Sequence, residues 1–287
     1  MIFTDNLVCP EGPVALKDSS WLCVQGEPAG CVTHISADGT KHTVIAKTGR
    51  PNGLAVDKEG FIWVAESRMP SLLKISMSGT VEVVLTSCGD EAFLFPNDLC
   101  FGPDGFLYLT DSGVFIDEFA PNGKIRADYK SVLCDGRVYR INPQTKEISK
   151  IDTGIRFTNG IAFGDDGYLY ANETLTGDVF RYHIDDNRIG NRELFGNVID
   201  PDAAPGYKGP DGMAFDKNGL LYVTVFGQQD VTVLDRNGKV KERIKTKGKN
   251  PTNIAFALPG KKQIHVTEYE FGTMEIFDVA EDGLELF

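Results

Sequence analysis

Asn97-Asp-Leu-Cys-Phe-Gly-Pro-Asp-Gly-Phe-Leu-Tyr-Leu-Thr110 is one of four near-copies of a single phrase. The others are Asn52-Gly-Leu-Ala-Val-Asp-Lys-Glu-Gly-Phe-Ile-Trp-Val-Ala65, Asn159-Gly-Ile-Ala-Phe-Gly-Asp-Asp-Gly-Tyr-Leu-Tyr-Ala-Asn172 and Asp211-Gly-Met-Ala-Phe-Asp-Lys-Asn-Gly-Leu-Leu-Tyr-Val-Thr224. In each, a short apolar run meets a polar turn ending in glycine, which suits a tight hairpin, and an aromatic-rich run follows. Shorter copies open at Glu11-Gly-Pro-Val-Ala-Leu16 and Thr252-Asn-Ile-Ala-Phe256, which makes six. Their first residues stand 41, 45, 62, 52 and 41 positions apart, the length of propeller blades. Third strands follow at 136–141, 177–182 and 272–277, and fourth strands of the Glu193-Leu-Phe195 kind. With no long amphipathic helical pattern, the repeat predicts an all-β fold: a six-bladed β-propeller with four-stranded antiparallel blades, one domain over residues 1–287. Residues 1–8 are expected to add a strand to the last blade and cover its open edge.

Composition narrows the partners. The chain is 41% hydrophobic and 24% charged, an ordinary globular balance. No run approaches the roughly 18 apolar residues of a spanning helix. The opening MIFTDNLVCP lacks a basic start and an apolar signal core, so a cytoplasmic location is expected. Lys and Arg number 29 against 41 Asp and Glu, a formal charge of −12, which disfavours nucleic acid and anionic membranes and favours cations or neutral small molecules. The six cysteines form no CxxC pair and read as reduced and structural. Four histidines without metal spacing leave little material for a Ser/His/Asp triad or a histidine metal site.

Innermost strands of a propeller surround its axis, so equivalent positions of successive blades converge. The first position of the repeat reads Glu11, Asn52, Asn97, Asn159, Asp211 and Thr252, and all six carry a side-chain oxygen. Asn and Asp also open turns by bonding their own backbone. Glu11 is a poor turn former, and two carboxylates with several amide oxygens make a hard-oxygen site suited to Ca²⁺, Mg²⁺ or Mn²⁺.

On these residues the sequence resembles the SMP-30/gluconolactonase/LRE-like (regucalcin-type) propellers, and is similar to the diisopropyl fluorophosphatase type of phosphotriesterase. Glu11-Gly-Pro13, Asn97-Asp98, Asn159-Gly160 and Pro210-Asp-Gly212 carry the resemblance, which spans essentially the whole chain. It implies one divalent metal ion, Ca²⁺ first, with Mg²⁺, Mn²⁺ or Zn²⁺ as alternatives, held by Glu11, Asn97, Asn159 and Asp211. Asn52 and Thr252 have no ligand role in that pattern. Asp98 is the expected catalytic base, the alternative being a turn residue where other copies have Gly. Glu66, Asp111, Glu173 and Glu268, at second-strand ends, are possible pocket residues, with Glu173 the one retained as a supporting candidate.

Sugar-lactone members of the family carry an arginine just before the Asn-Asp pair, where this chain has Phe95-Pro96. The longest interval between copies holds an insertion, residues 113–136, with Val114, Phe115, Ile116 and Phe119 in one apolar-rich stretch. If it covers the channel mouth, smaller or less hydroxylated lactones are favoured over gluconolactone; a long hairpin without a role is the other reading. The expected activity is therefore a metal-dependent lactonase or esterase acting on a small-molecule lactone or ester. Phosphotriester hydrolysis and a non-enzymatic metal- or ligand-binding propeller are the alternatives.

Overall fold

A computed structural model describes residues 1–185 and 188–285. It is a six-bladed β-propeller. Blade one contains Pro10–Ala15, Trp21–Gln25, Cys31–Ile35 and His42–Lys47; blade two Pro51–Val56, Ile62–Glu66, Ser71–Ile75 and Val81–Leu85; blade three Pro96–Phe101, Leu107–Asp111, Gly136–Ile141 and Ile148–Ile155. Blade four contains Thr158–Phe163, Tyr168–Glu173, Asp178–Asp185 and Glu193–Asn197; blade five Gly209–Phe215, Leu221–Phe226, Asp230–Leu234 and Val240–Lys245. Blade six takes Pro251–Phe256, Gln263–Glu268 and Thr273–Asp278 from the end of the chain, and Ile2–Thr4 from its start. Ile2 pairs with Glu275 and Thr4 with Met274, so the expected closing strand forms, three residues long.

The repeat's aromatic position explains why the inner hairpins of blades two, three and four hold their shape. Trp63 Nε1 donates to Asp57 at 2.8 Å, Tyr108 OH to Asp104 at 2.8 Å, and Tyr170 OH to Asp166 at 2.7 Å. Each ring thus buries its body while its polar tip ties down the turn aspartate. Core lies between blades: Leu22, Val24 and Val32 of blade one pack on Leu54, Ile62 and Val64 of blade two, each worth about 1.5–3 kcal/mol when buried. All six cysteines are unpaired. Among the described residues no helix is long and apolar enough to cross a membrane.

Every inner strand breaks register at the same place: between Glu11 and Val14, Pro51 and Leu54, Pro96 and Leu99, Thr158 and Ile161, Pro210 and Met213, Pro251 and Ile254. A bulge re-aims side chains and takes backbone groups out of the ladder. In blades three, five and six, second-strand threonines satisfy those groups. Thr110 Oγ1 accepts the Asp98 N–H at 3.0 Å and donates to Asn159 O at 2.7 Å, while Thr224 donates to Thr252 O at 2.8 Å. Backbone bonding thus survives at these three bulges.

Candidate metal centre and pocket

The six bulge residues Glu11, Asn52, Asn97, Asn159, Asp211 and Thr252 line one cavity of about 250 Å³. Their surroundings divide them. Asn97 Nδ2 donates to Ser112 Oγ at 2.9 Å, and its Oδ1 accepts from Asn52 Nδ2 at 3.0 Å, so Asn52 orients Asn97. Thr252 donates to Pro10 O at 2.7 Å across the seam between blades six and one, a structural use of its hydroxyl. Glu11 Oε2 accepts the Gly12 N–H at 2.5 Å and Asn253 Nδ2 at 2.9 Å. The Asn159 side chain hydrogen-bonds the Asp211 carboxyl.

Asp98 lies one layer behind this ring. It is 7% exposed and is not among the residues lining the cavity. Its Oδ1 accepts the Leu99 N–H at 2.9 Å, and its Oδ2 stands 3.4 Å from Asn253 Nδ2. Asn253, which links Asp98 to Glu11, was missed by sequence reasoning. The signal was available: the second position of the repeat reads Gly12, Gly53, Asp98, Gly160, Gly212 and Asn253, two long side chains among four glycines. The glycines make the room. A Cβ on Gly53 would lie 2.3 Å from Asp98 Oδ1, and one on Gly212 2.0 Å from Asn253 Oδ1.

Three carboxyls therefore gather where water is scarce. Burial, with the nearby charge of Asp98, pushes Glu11 up to about 8; burial pushes Asp98 up to about 6. Asp211 is driven well above the carboxylate range by burial and by the charges of Glu11 and Asp98. Among the described residues none of the three makes an ion pair, and no three His, Cys, Asp or Glu side chains form a metal cluster by themselves. Any ion here must draw on the asparagine amides as well. Buried like charges without a counter-charge are costly, and a divalent ion is the partner that this oxygen-only set fits.

The second-strand carboxylates serve the backbone instead of the pocket. Glu66 accepts the N–H groups of Arg50 and Arg68, both at 2.7 Å. Asp111 accepts those of Leu94, Phe95 and Gly113, Glu173 that of Arg156, and Glu268 those of Asn250, Glu270 and Phe271. Each fastens the loop that feeds its inner strand.

The insertion is not a hairpin. It forms a helical turn, Ile116–Phe119, and two 3-10 turns, Pro121–Gly123 and Tyr129–Ser131. Ile116, Phe119, Ala120 and Ile125 face the cavity, beside Phe95 and Phe157 of the neighbouring loops. Phe119 and Phe157 pack with their rings tilted and centroids 4.5 Å apart. Phe115, expected in the apolar wall, is 45% exposed and turned outward. Next to Phe95, where sequence left no cation, the Arg50 guanidinium lies 5.9 Å from the ring centroid.

A family model described as "SMP-30/Gluconolactonase/LRE-like region" matches residues 9–270. A diisopropyl-fluorophosphatase of Loligo vulgaris is 30% identical over 98% of this chain and 92% of its own. A gluconolactonase of Zymomonas mobilis is 25% identical over 79% of this chain and 67% of its own. Among solved structures, a gluconolactonase of Xanthomonas campestris superposes with TM-score 0.77 at 22% identity, covering 97% of this chain and 89% of that one. A calcium-binding regucalcin of Agrobacterium tumefaciens superposes with TM-score 0.76 at 17% identity, covering 99% and 96%.

Proposed function

The chain belongs to the SMP-30/gluconolactonase/LRE-like family, and from that premise we propose that it is a divalent-metal-dependent hydrolase that opens a small lactone ring. The observation that carries this reading is the meeting of Glu11, Asn97, Asn159 and Asp211 on one cavity, with neither carboxylate ion-paired to a protein cation among the described residues. Those four residues are the proposed ligands, with Ca²⁺ as the ion, because the donors are hard oxygens. Such an ion would polarise the carbonyl or phosphoryl oxygen of a bound substrate.

The rest of the chemistry belongs to the chain. Asn52 and Ser112 hold the Asn97 amide in one orientation, with its oxygen toward Asn52 and the cavity. Asn253 does the same for Glu11. Asp98 is the proposed proton acceptor. Its carboxyl sits near 6, close to where a base works at neutral pH, and the Leu99 N–H fixes one of its oxygens. The apolar wall of Ile116, Phe119 and Phe157 excludes water from the reacting ester.

A second reading, phosphotriester hydrolysis, is favoured by the similarity over nearly the full chain to a diisopropyl-fluorophosphatase. A panel of lactones and organophosphates, assayed before and after chelation, separates the two. Lactone turnover lost on chelation and restored by Ca²⁺ is the expected result; turnover of organophosphates alone transfers the assignment to the second reading.

A further inference from the structure

Arg50 enters the cavity from the loop before the inner strand of blade two, and its backbone is fastened at both ends. Its N–H donates to the buried carboxylate of Glu66 at 2.7 Å, and its C=O accepts from Ser67 N at 3.0 Å and Ser67 Oγ at 2.9 Å. The side chain, in contrast, is held loosely. It is 25% exposed, and its nearest carboxylate, Glu27, stands 3.9 Å away. Glu27 is already engaged by Arg68, whose Nε donates to it at 2.8 Å. Among the described residues no hydrogen bond satisfies the Arg50 guanidinium, and burial depresses its pKa. A rigidly based, partly desolvated fork of donors with only a distant charge partner and no hydrogen-bond acceptor is unusual inside a pocket.

We propose that Arg50 is a substrate-binding residue that takes a carboxylate on the substrate, so that this pocket selects compact esters or lactones with an anionic end and an apolar body. The guanidinium presents paired N–H groups to the two carboxylate oxygens, the geometry in which such pairs are strongest. The body then rests on Phe95, over which Arg50 already lies, and on Phe119 and Phe157. Selection of this kind leaves Arg50 unpaired when the anionic end is missing, which penalises neutral analogues. The inference rests on the hydrolase reading for what happens to the substrate, and on Arg50 alone for how it is held.

Binding and turnover test the two separately. Metal-loaded protein is titrated calorimetrically with phenylacetate and with phenylacetamide, a probe pair of one shape that differs in charge. Wild type should bind phenylacetate at least tenfold more tightly. Arg50→Met should weaken phenylacetate about tenfold or more and phenylacetamide less than twofold, with metal content unchanged, and Arg50→Lys should recover part of the loss. Undiminished phenylacetate binding by Arg50→Met overturns the proposal, as does equal affinity of wild type for the two probes. In the turnover arm, kcat/KM for a carboxylate-bearing γ-lactone should exceed that for its methyl ester, and Arg50→Met should erase the difference. Arg50-dependent binding without turnover of any lactone sinks the lactonase reading and leaves the Arg50 site standing.

Discussion

Asn253 and Asp98 occupy the same position of their repeats in opposite blades, and they meet on the axis behind the proposed ion. Asn253 spans from Glu11 to Asp98, so its loss should unfix a proposed ligand without removing one. Groups that orient metal ligands typically govern 10–100-fold in affinity. Asn253→Ala should therefore weaken metal binding by about tenfold in a chelator competition; unchanged affinity would demote it to a channel filler. Asp98→Asn keeps shape and removes the proton acceptor. It should lower kcat by roughly 10² to 10⁴ with metal content preserved, whereas loss of the ion in that variant would make Asp98 a residue that supports Glu11 and Asp211. The residue scale was only half legible in the sequence. Glu11, Asn97, Asn159 and Asp211 stood out because each opens a repeat, but Asn253 was hidden by the weakness of its copy. Arg50 was hidden because a guanidinium's reach across to Phe95 is a tertiary fact.

The bulged inner strand is the element that makes the centre. It exists because one extra residue per blade turns a side chain to the axis, and in blades three, five and six second-strand threonines pair the backbone groups this frees. Such a strand tolerates a long second residue only if its neighbour yields. Gly212→Ala would drive its methyl into Asn253, so it should destabilise the protein by about 1–3 kcal/mol, read as a lower thermal midpoint, and loosen the metal as Asn253→Ala does. A midpoint equal to wild type would mean the axis has slack. The insertion is the other decisive element. Phe119→Ala removes a ring that packs against Phe157 at the cavity wall, and should reduce kcat/KM for an alkyl-substituted γ-lactone about tenfold while sparing a hexonolactone. Equal losses on both would show that the ring only holds the loop together. Strand order and turns were readable from the 14-residue phrase, since they depend on local pattern. The insertion was not, because it lacks a repeat and its helical turn is set by packing of Ile116 and Phe119 against Phe95 and Phe157.

At the scale of the molecule, a ring is as strong as its seam. Here the seam is an aromatic stack: His265 of blade six lies 3.9 Å from Trp21 of blade one, with Phe3 of the closing strand edge-on at 4.9 Å. Burial lowers the His265 pKa to about 3, and its Nδ1 has no hydrogen-bond partner. Its unfolded value is about 6.5, so between roughly pH 6.5 and 3 the unfolded chain takes up a proton that the folded one refuses. Stability is full above that window and falls as pH drops through it, by an amount on the order of 5 kcal/mol for this one group. His265→Phe should thus lose less stability than wild type between pH 7 and pH 4 in urea titrations; parallel losses would put the acid sensitivity elsewhere. The closing strand was legible from the six-blade count, which leaves the last blade one strand short. The stack was not, because it joins residues 3, 21 and 265 through ring closure alone. The proposed chemistry turns on an ion at the end of the axis, and elemental analysis of dialysed protein tests for it. Wild type should retain close to one divalent ion per chain and Asp211→Ala far less; equal retention by both, or no stoichiometric ion in wild type, would contradict it.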